Sequence, residues 1–188
     1  MRNKRAIILI SGGGSNMEAI AKNVDEIDIV GVYSDRDCGG IERAKKLNLD
    51  AEWIKENFFD NLKEIISKKK VDFIILAGFL KILPKEFVEN SVPILNIHPS
   101  LLPKYGGKGC HGLNVHNMVL KSKDEYSGAT VHLVDSGIDT GKILLQSFVS
   151  IKGLTDANQI AERVLVTEHK LYSMAIKLFV RNGGELWS

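Results

Sequence analysis

Short β-branched runs alternate with helical segments through the first half of this chain, and that alternation restricts the fold more than any other feature. The runs are Ala6 to Ile10, Ile27 to Ser34, Ala51 to Ile54, Val71 to Ala77 and Ile94 to Ile97. Between them, Asn16 to Asn23, Ile41 to Leu47, Asp60 to Lys69 and Pro84 to Glu89 carry apolar residues at helical spacing. Strands joined by helices, with glycine-rich strand ends, imply an α/β fold: a doubly wound, mostly parallel twisted sheet with helices on both faces. Phe73-Ile74-Ile75-Leu76-Ala77 is apolar at every position, as a central strand covered on both sides requires.

After Ile97 the order changes. A loop from Pro99 to Cys110 leads to a helix at Leu113 to Leu120, then to strands at Ala129 to Val134 and Ile143 to Ile151 joined by Asp135 to Lys142. A last helix, Asp156 to Phe179, sets Ile160, Val164, Leu171, Ala175 and Leu178 on one stripe that packs across the sheet. No internal repeat or linker interrupts the pattern. The 188 residues, 44% of them hydrophobic, predict a single domain over residues 1–188.

Composition removes several classes. Lys and Arg number 25 against 23 Asp and Glu, a net charge of +2, so no bias toward nucleic acid is visible. Cys38 and Cys110 share no metal-ligand spacing and read as reduced thiols of a cytoplasmic protein. The basic start, Met1 to Arg5, is followed by an apolar run too short for a signal peptide. No stretch reaches the roughly 20 apolar residues that span a bilayer, so no membrane partner is expected.

The first strand runs into Ser11-Gly12-Gly13-Gly14-Ser15-Asn16 and then a helix. Glycines let backbone N–H groups approach phosphate oxygens, and the helix N-terminus favours an anion. Ser15 and Asn16 either cap that helix or donate to the phosphate. The competing dinucleotide reading uses Gly12, Gly14 and Asp35 at the end of the second strand, but Met17 stands where a third glycine belongs. At the end of the fifth strand, Asn96 and His98 are two apart and leave it on one side, at the edge where open α/β sheets bind ligands. Farther on, Gly137 and Gly141 bracket a tight loop able to present Asp139, or nearby Asp135, back toward that edge. Spacing alone does not choose between these carboxylates.

Four segments, Ser11 to Asn16, Leu76 to Leu83, Leu95 to Pro103 and Gly137 to Gly141, resemble the successive motifs of the phosphoribosylglycinamide formyltransferases. They stand in that family's order and span nearly the whole chain; the third is shared with the wider folate-dependent formyltransferases. The resemblance implies that 10-formyltetrahydrofolate, as co-substrate, gives its formyl group to the amine of glycinamide ribonucleotide, with no metal. It implies a catalytic trio of Asn96, His98 and Asp139, in which Asp139 favours a protonated His98. Ribonucleotide contacts fall to Gly14, Ser15, Asn16 and, on the ribose, Glu168; the folate site falls to Leu80, Lys81, Ile82, Leu83 and Asn96. The phosphate-binding half would occupy about 1–100 and the folate and catalytic loops about 77–145. The protein is expected to act on small molecules as a monomer or homodimer.

Departures from the resemblance are local. Lys81 stands where many relatives carry Arg, so a bidentate contact is not carried over. The segment Phe58 to Lys63 offers no matching folate-contacting Arg. The loop Lys104 to His111 is glycine-rich and expected to close over ligands, while His111, His116 and His132 read as structural or supporting histidines. Rival readings are formyl transfer to another amine, hydrolysis of formyltetrahydrofolate, and a non-catalytic nucleotide-binding module.

Overall fold

In the computed structural model, which describes residues 3–184, β1 (Lys4–Ile10) is fully buried from Ala6 to Ile10, as its unbroken aliphatic run demands. Met1 and Arg2 of the basic start lie outside the described residues. The chain continues through α1 (Ser15–Asn23), β2 (Ile27–Ser34), α2 (Gly39–Lys46), β3 (Ala51–Trp53), α3 (Phe58–Lys69), β4 (Phe73–Leu76), α4 (Lys85–Glu89) and β5 (Ile94–His98). Then follow α5 (Leu113–Ser122), β6 (Tyr126–Leu133), β7 (Ile143–Ser150) and α6 (Ala157–Arg181). Every element expected from the sequence is present; only the boundaries move.

The strands form one seven-stranded sheet in the order β3-β2-β1-β4-β5-β6-β7. Pairing is parallel from β3 through β5, whereas β5 with β6 and β6 with β7 are antiparallel. Alternate residues of β1 feed opposite faces. Ala6, Ile8 and Ile10 pack with Met17 and Ile20 of α1, Ile41 and Ala44 of α2, and Leu171, Tyr172, Ala175 and Ile176 of α6. Ile7 and Leu9 pack with Phe58 and Leu62 of α3 and Phe87 of α4. The two-sided cover anticipated from the apolar central strands is therefore real.

The α6 stripe is buried at Ile160, Val164, Leu171 and Ala175, but Leu178 is only half-buried. Phe179 takes its place in the core, because the 3.6-residue turn carries the stripe past Leu178 over so long a helix. Tyr172 is wholly buried, and its hydroxyl bridges the Leu76 and Leu95 carbonyls, at 3.0 and 2.9 Å, clasping the neighbouring strands β4 and β5. Among the described residues no helix is long and apolar enough to cross a membrane.

Candidate active site

Parallel pairing brings the carboxyl ends of β1, β4 and β5 to one sheet edge, and the order reverses between β1 and β4. A crevice outside that switch point is where such sheets hold ligands. The glycine loop follows β1, the 77–83 segment follows β4, and Asn96 and His98 end β5.

Gly14 sits at φ 74 as the N-cap of α1, with no side chain capping the helix. That left-handed conformation is one that glycine adopts at no steric cost. The first-turn N–H groups therefore point outward without a side-chain acceptor, a ready anion site. Ser15 and Asn16 do not cap, contrary to one sequence alternative, because the cap falls at Gly14. Asn16 instead turns inward and donates to Glu168 Oε2 at 2.8 Å, and both side chains are buried. Burial raises the Glu168 carboxyl to about 7, against which the Asn16 bond pulls weakly downward. The exposed-carboxylate alternative for Glu168 fails. Glu168 lies four residues after Val164 and three before Leu171, on the same buried stripe, a signal legible in the sequence.

Met17, at the position a third dinucleotide glycine would hold, is fully buried beneath the loop. The sequence pattern gives no sign of Gly40, in the first turn of α2. Its N–H donates to the Gly12 carbonyl at 3.0 Å, and a Cβ there would stand 2.6 Å from that carbonyl oxygen. No side chain fits between the glycine loop and α2.

Asn96, His98 and Asp139 converge. His98 Nδ1 lies 3.5 Å from Asp139 Oδ2, and His98 Nε2 lies 2.7 Å from the Tyr105 carbonyl oxygen. Asp139 stands at φ 57, inside a loop that turns it inward, and accepts from Gly107 N–H at 3.0 Å. Asp135 is excluded as the partner: its Oδ1 accepts from Gly137 N–H and the Thr140 hydroxyl, closing the turn itself. His132 completes the cluster, which its sequence context does not reveal. It faces Asn96 across the antiparallel β5–β6 pair, with Asn96 Nδ2 and His132 Nε2 3.1 Å apart and Asp139 Oδ1 3.7 Å from the same nitrogen.

His132 Nδ1 lies 2.9 Å from the Leu133 carbonyl oxygen, which requires a proton on Nδ1. With Nδ1 carrying that proton, Nε2 meets both the Asn96 amide and Asp139: a ring with one proton accepts there from Asn96, and a ring with two donates there to Asp139. Burial pushes His98 below the ordinary histidine value, and Asp139 and the Tyr105 carbonyl pull it back without reversing the direction. Asp139 thus pulls His98 toward its protonated form, as expected, while burial of the imidazolium sets the net direction downward. Burial pushes Asp139 up, but His132, His98 and the Gly107 N–H together bring it below the ordinary range.

The 78–83 segment presents Leu80 at 51% and Ile82 at 69% exposure, apolar side chains with nothing over them. Ile82 makes no core contribution; Leu83 does, packing against the α3 side. Lys81 extends over Phe58 and Phe59, with Nζ 5.5 and 5.6 Å from the ring centres. The 104–111 loop is tied down at several points. Tyr105 is buried, its carbonyl holds His98 and Ser100, and its hydroxyl donates to Asp124. Of the other histidines, His111 is exposed and His116 is buried on α5. Among the described residues, no group of three or more His, Cys, Asp or Glu side chains is arranged to hold a metal ion.

A family model described as Formyl transferase matches residues 4–176. The chloroplastic phosphoribosylglycinamide formyltransferase of Arabidopsis thaliana is 40% identical over 186 residues, covering 91% of this chain and 63% of that protein. The phosphoribosylglycinamide formyltransferase of Escherichia coli (strain K12) is 35% identical over 186 residues, covering 92% of this chain and 85% of its own length. The crystal structure of the phosphoribosylglycinamide formyltransferase from Anaplasma phagocytophilum superposes with a TM-score of 0.88 at 31% identity, over 96% of this chain and 89% of that one. This chain spans about three fifths of the plant relatives, 63% and 59% of those from Arabidopsis thaliana and Vigna unguiculata.

Proposed function

The chain belongs to the formyl transferase family, and from that premise we propose that it transfers the formyl group of 10-formyltetrahydrofolate to the amine of 5'-phosphoribosylglycinamide. The products are the N-formyl ribonucleotide and tetrahydrofolate, a step of purine biosynthesis. The observation that carries the reading is the meeting, at one sheet edge, of Asn96 and His98 from the end of β5 with Asp139 from the loop after β6.

Attack of a neutral amine on the formyl carbon places negative charge on the formyl oxygen, and hydrogen-bond donors fixed beforehand lower that barrier. His132 accepts one Asn96 amide hydrogen, leaving the other free to donate to this oxygen. Both ring nitrogens of His98 are engaged, by Tyr105 and Asp139, so its part is to hold a proton shared with Asp139 as charge develops. Ionised Asp139 accepts the proton lost by the amine, directly or through water, and the departing folate nitrogen takes one up. The phosphate sits on the first-turn N–H groups beyond Gly14, with Ser15 and Asn16 contributing backbone and Glu168 reading the ribose. Leu80 and Ile82 supply apolar cover for the pterin, which accounts for their exposure in the free protein.

Release of tetrahydrofolate tests the reading. It should require glycinamide ribonucleotide, and Asp139→Asn should slow turnover about 100-fold or more while ribonucleotide affinity changes little. Release without any amine would replace transfer with hydrolysis; no release with either substrate would sink the assignment.

A further inference from the structure

Asp35 ends β2 at the position where dinucleotide-binding sheets place a ribose-reading acid, yet it is engaged elsewhere. Its side chain is only 6% exposed, and its Oδ1 accepts a 2.6 Å hydrogen bond from the Ser11 hydroxyl. Arg36 closes on its other side, with Nη2 2.9 Å from Oδ2. A hydroxyl has one hydrogen. With that hydrogen directed to Asp35, the Ser11 lone pairs are left to accept, and they do: Leu80 N–H donates to Ser11 Oγ at 2.9 Å. Ser11 N–H in turn donates to the Gly78 carbonyl at 3.1 Å.

Ser11 is thus the first residue of the glycine loop and also the anchor of the segment after β4. It is 6% exposed, so water does not replace these bonds. The joint lies at the topological switch between β1 and β4, where the two proposed ligand sites abut. The other ties of the segment it anchors are packing contacts on the α3 side, from Phe79, Lys81 and Leu83. Phe79 stacks on Phe58 with ring centres 5.4 Å apart, whereas Leu80 and Ile82 reach into solvent. The direction of the Leu80 peptide therefore follows the Ser11 hydroxyl, and the hydroxyl follows Asp35.

We propose that Ser11, oriented by Asp35, is a positioning residue that couples the phosphate-binding glycine loop to the folate-binding 78–83 segment, so that each substrate tightens the binding of the other. The inference rests on the formyltransferase reading, and it assigns to the Ser11–Asp35 pair a role separate from the Asn96, His98 and Asp139 chemistry. Coupling of this kind is reciprocal: the factor by which the ribonucleotide tightens folate must equal the factor by which folate tightens the ribonucleotide.

Calorimetric titration tests it, using tetrahydrofolate and glycinamide ribonucleotide, each alone and with the other saturating. In the unmodified protein the two coupling factors should agree and be fivefold or more. Ser11→Ala should bring them to within about twofold of unity and weaken tetrahydrofolate about tenfold, leaving ribonucleotide alone within about twofold. Ser11→Thr, which keeps the hydroxyl, should restore most of the coupling, and Asp35→Asn should fall between. Unchanged coupling in Ser11→Ala overturns the inference. So does equal loss of both ligands with a lowered melting temperature and no rescue by Thr, which marks a purely structural role. If the unmodified protein binds neither ligand, the formyltransferase reading itself falls, and the inference with it; binding of both without coupling removes only the inference.

Discussion

At the scale of single residues, the candidate site depends on which of several similar side chains the backbone turns inward. Asp135 and Asp139 are indistinguishable by spacing, and the choice is made by a left-handed φ at Asp139 and by the turn that Asp135 closes with Gly137 and Thr140. His132 is harder to find, because its role depends on the antiparallel register that sets it opposite Asn96. Asn96 Nδ2 lies 3.1 Å from its Nε2, and on the proposed mechanism this contact holds the Asn96 amide so that its remaining N–H faces the reacting carbonyl. His132→Phe keeps an aromatic ring and removes the acceptor. We expect turnover to fall about 100-fold with little change in either KM, as small misplacements of a catalytic group produce. Single-turnover formyl transfer measures this directly, and an unchanged rate would mean that Asn96 does not need its partner. Asn96 and His98 themselves are readable from sequence, since a two-residue spacing at a strand end fixes their common side without knowledge of the rest of the fold.

Elements explain why the glycine loop is only half legible. Three consecutive glycines after a buried strand announce a close backbone approach, but not which approach. The answer lies in α2, whose first turn escapes a periodic pattern that begins at Ile41. Gly39 and Gly40 have no side chains to enter such a pattern, yet Gly40 lies against both Gly12 and Gly14. Met17 fills the space beneath, with its Cε 3.0 Å from where a Gly14 Cβ would stand. Helix α2 thus supports the glycine loop from behind. Gly40→Ala places its methyl 2.6 Å from the Gly12 carbonyl oxygen, a backbone atom that has to move. Ribonucleotide affinity should drop at least about tenfold by calorimetry, while tetrahydrofolate measured alone stays within about twofold. Equal weakening of both ligands would instead indicate a general loosening of the sheet edge. The parallel half of the sheet, by contrast, follows from the βα alternation, because a parallel neighbour can be reached only through a crossover.

Across the whole molecule, two buried groups have opposite pH dependence, so each offsets part of the other's effect on stability. His116 is buried on α5 and its pKa is lowered from 6.5 to about 4 by burial and by the charge of His98. The unfolded chain therefore binds a proton more readily, and this group's contribution to stability falls as pH drops from about 6.5 to about 4. Glu168 is shifted the other way, from 4.5 to about 7. Its folded form keeps a proton that the unfolded form loses, so its contribution falls as pH rises from about 4.5 to about 7. Over the shared window the slopes oppose, and above it the Glu168 cost remains in full. Glu168→Gln removes that cost while leaving an amide beside Asn16. The variant should be more stable at pH 8 by about 2 kcal/mol, and its stability should climb more steeply from pH 4.5 to 6.5 than that of the unmodified protein. Urea unfolding at a series of pH values reads both effects; lower stability of the variant at pH 8 would show that the Asn16 bond outweighs desolvation. The same substitution should raise the KM for the ribonucleotide, because a neutral amide is a weaker acceptor for ribose hydroxyls than the carboxylate formed above pH 7. On the proposed function, keeping an acid on the buried stripe of α6 trades folding stability for substrate recognition, a trade expected of a packing helix that would also line a binding site.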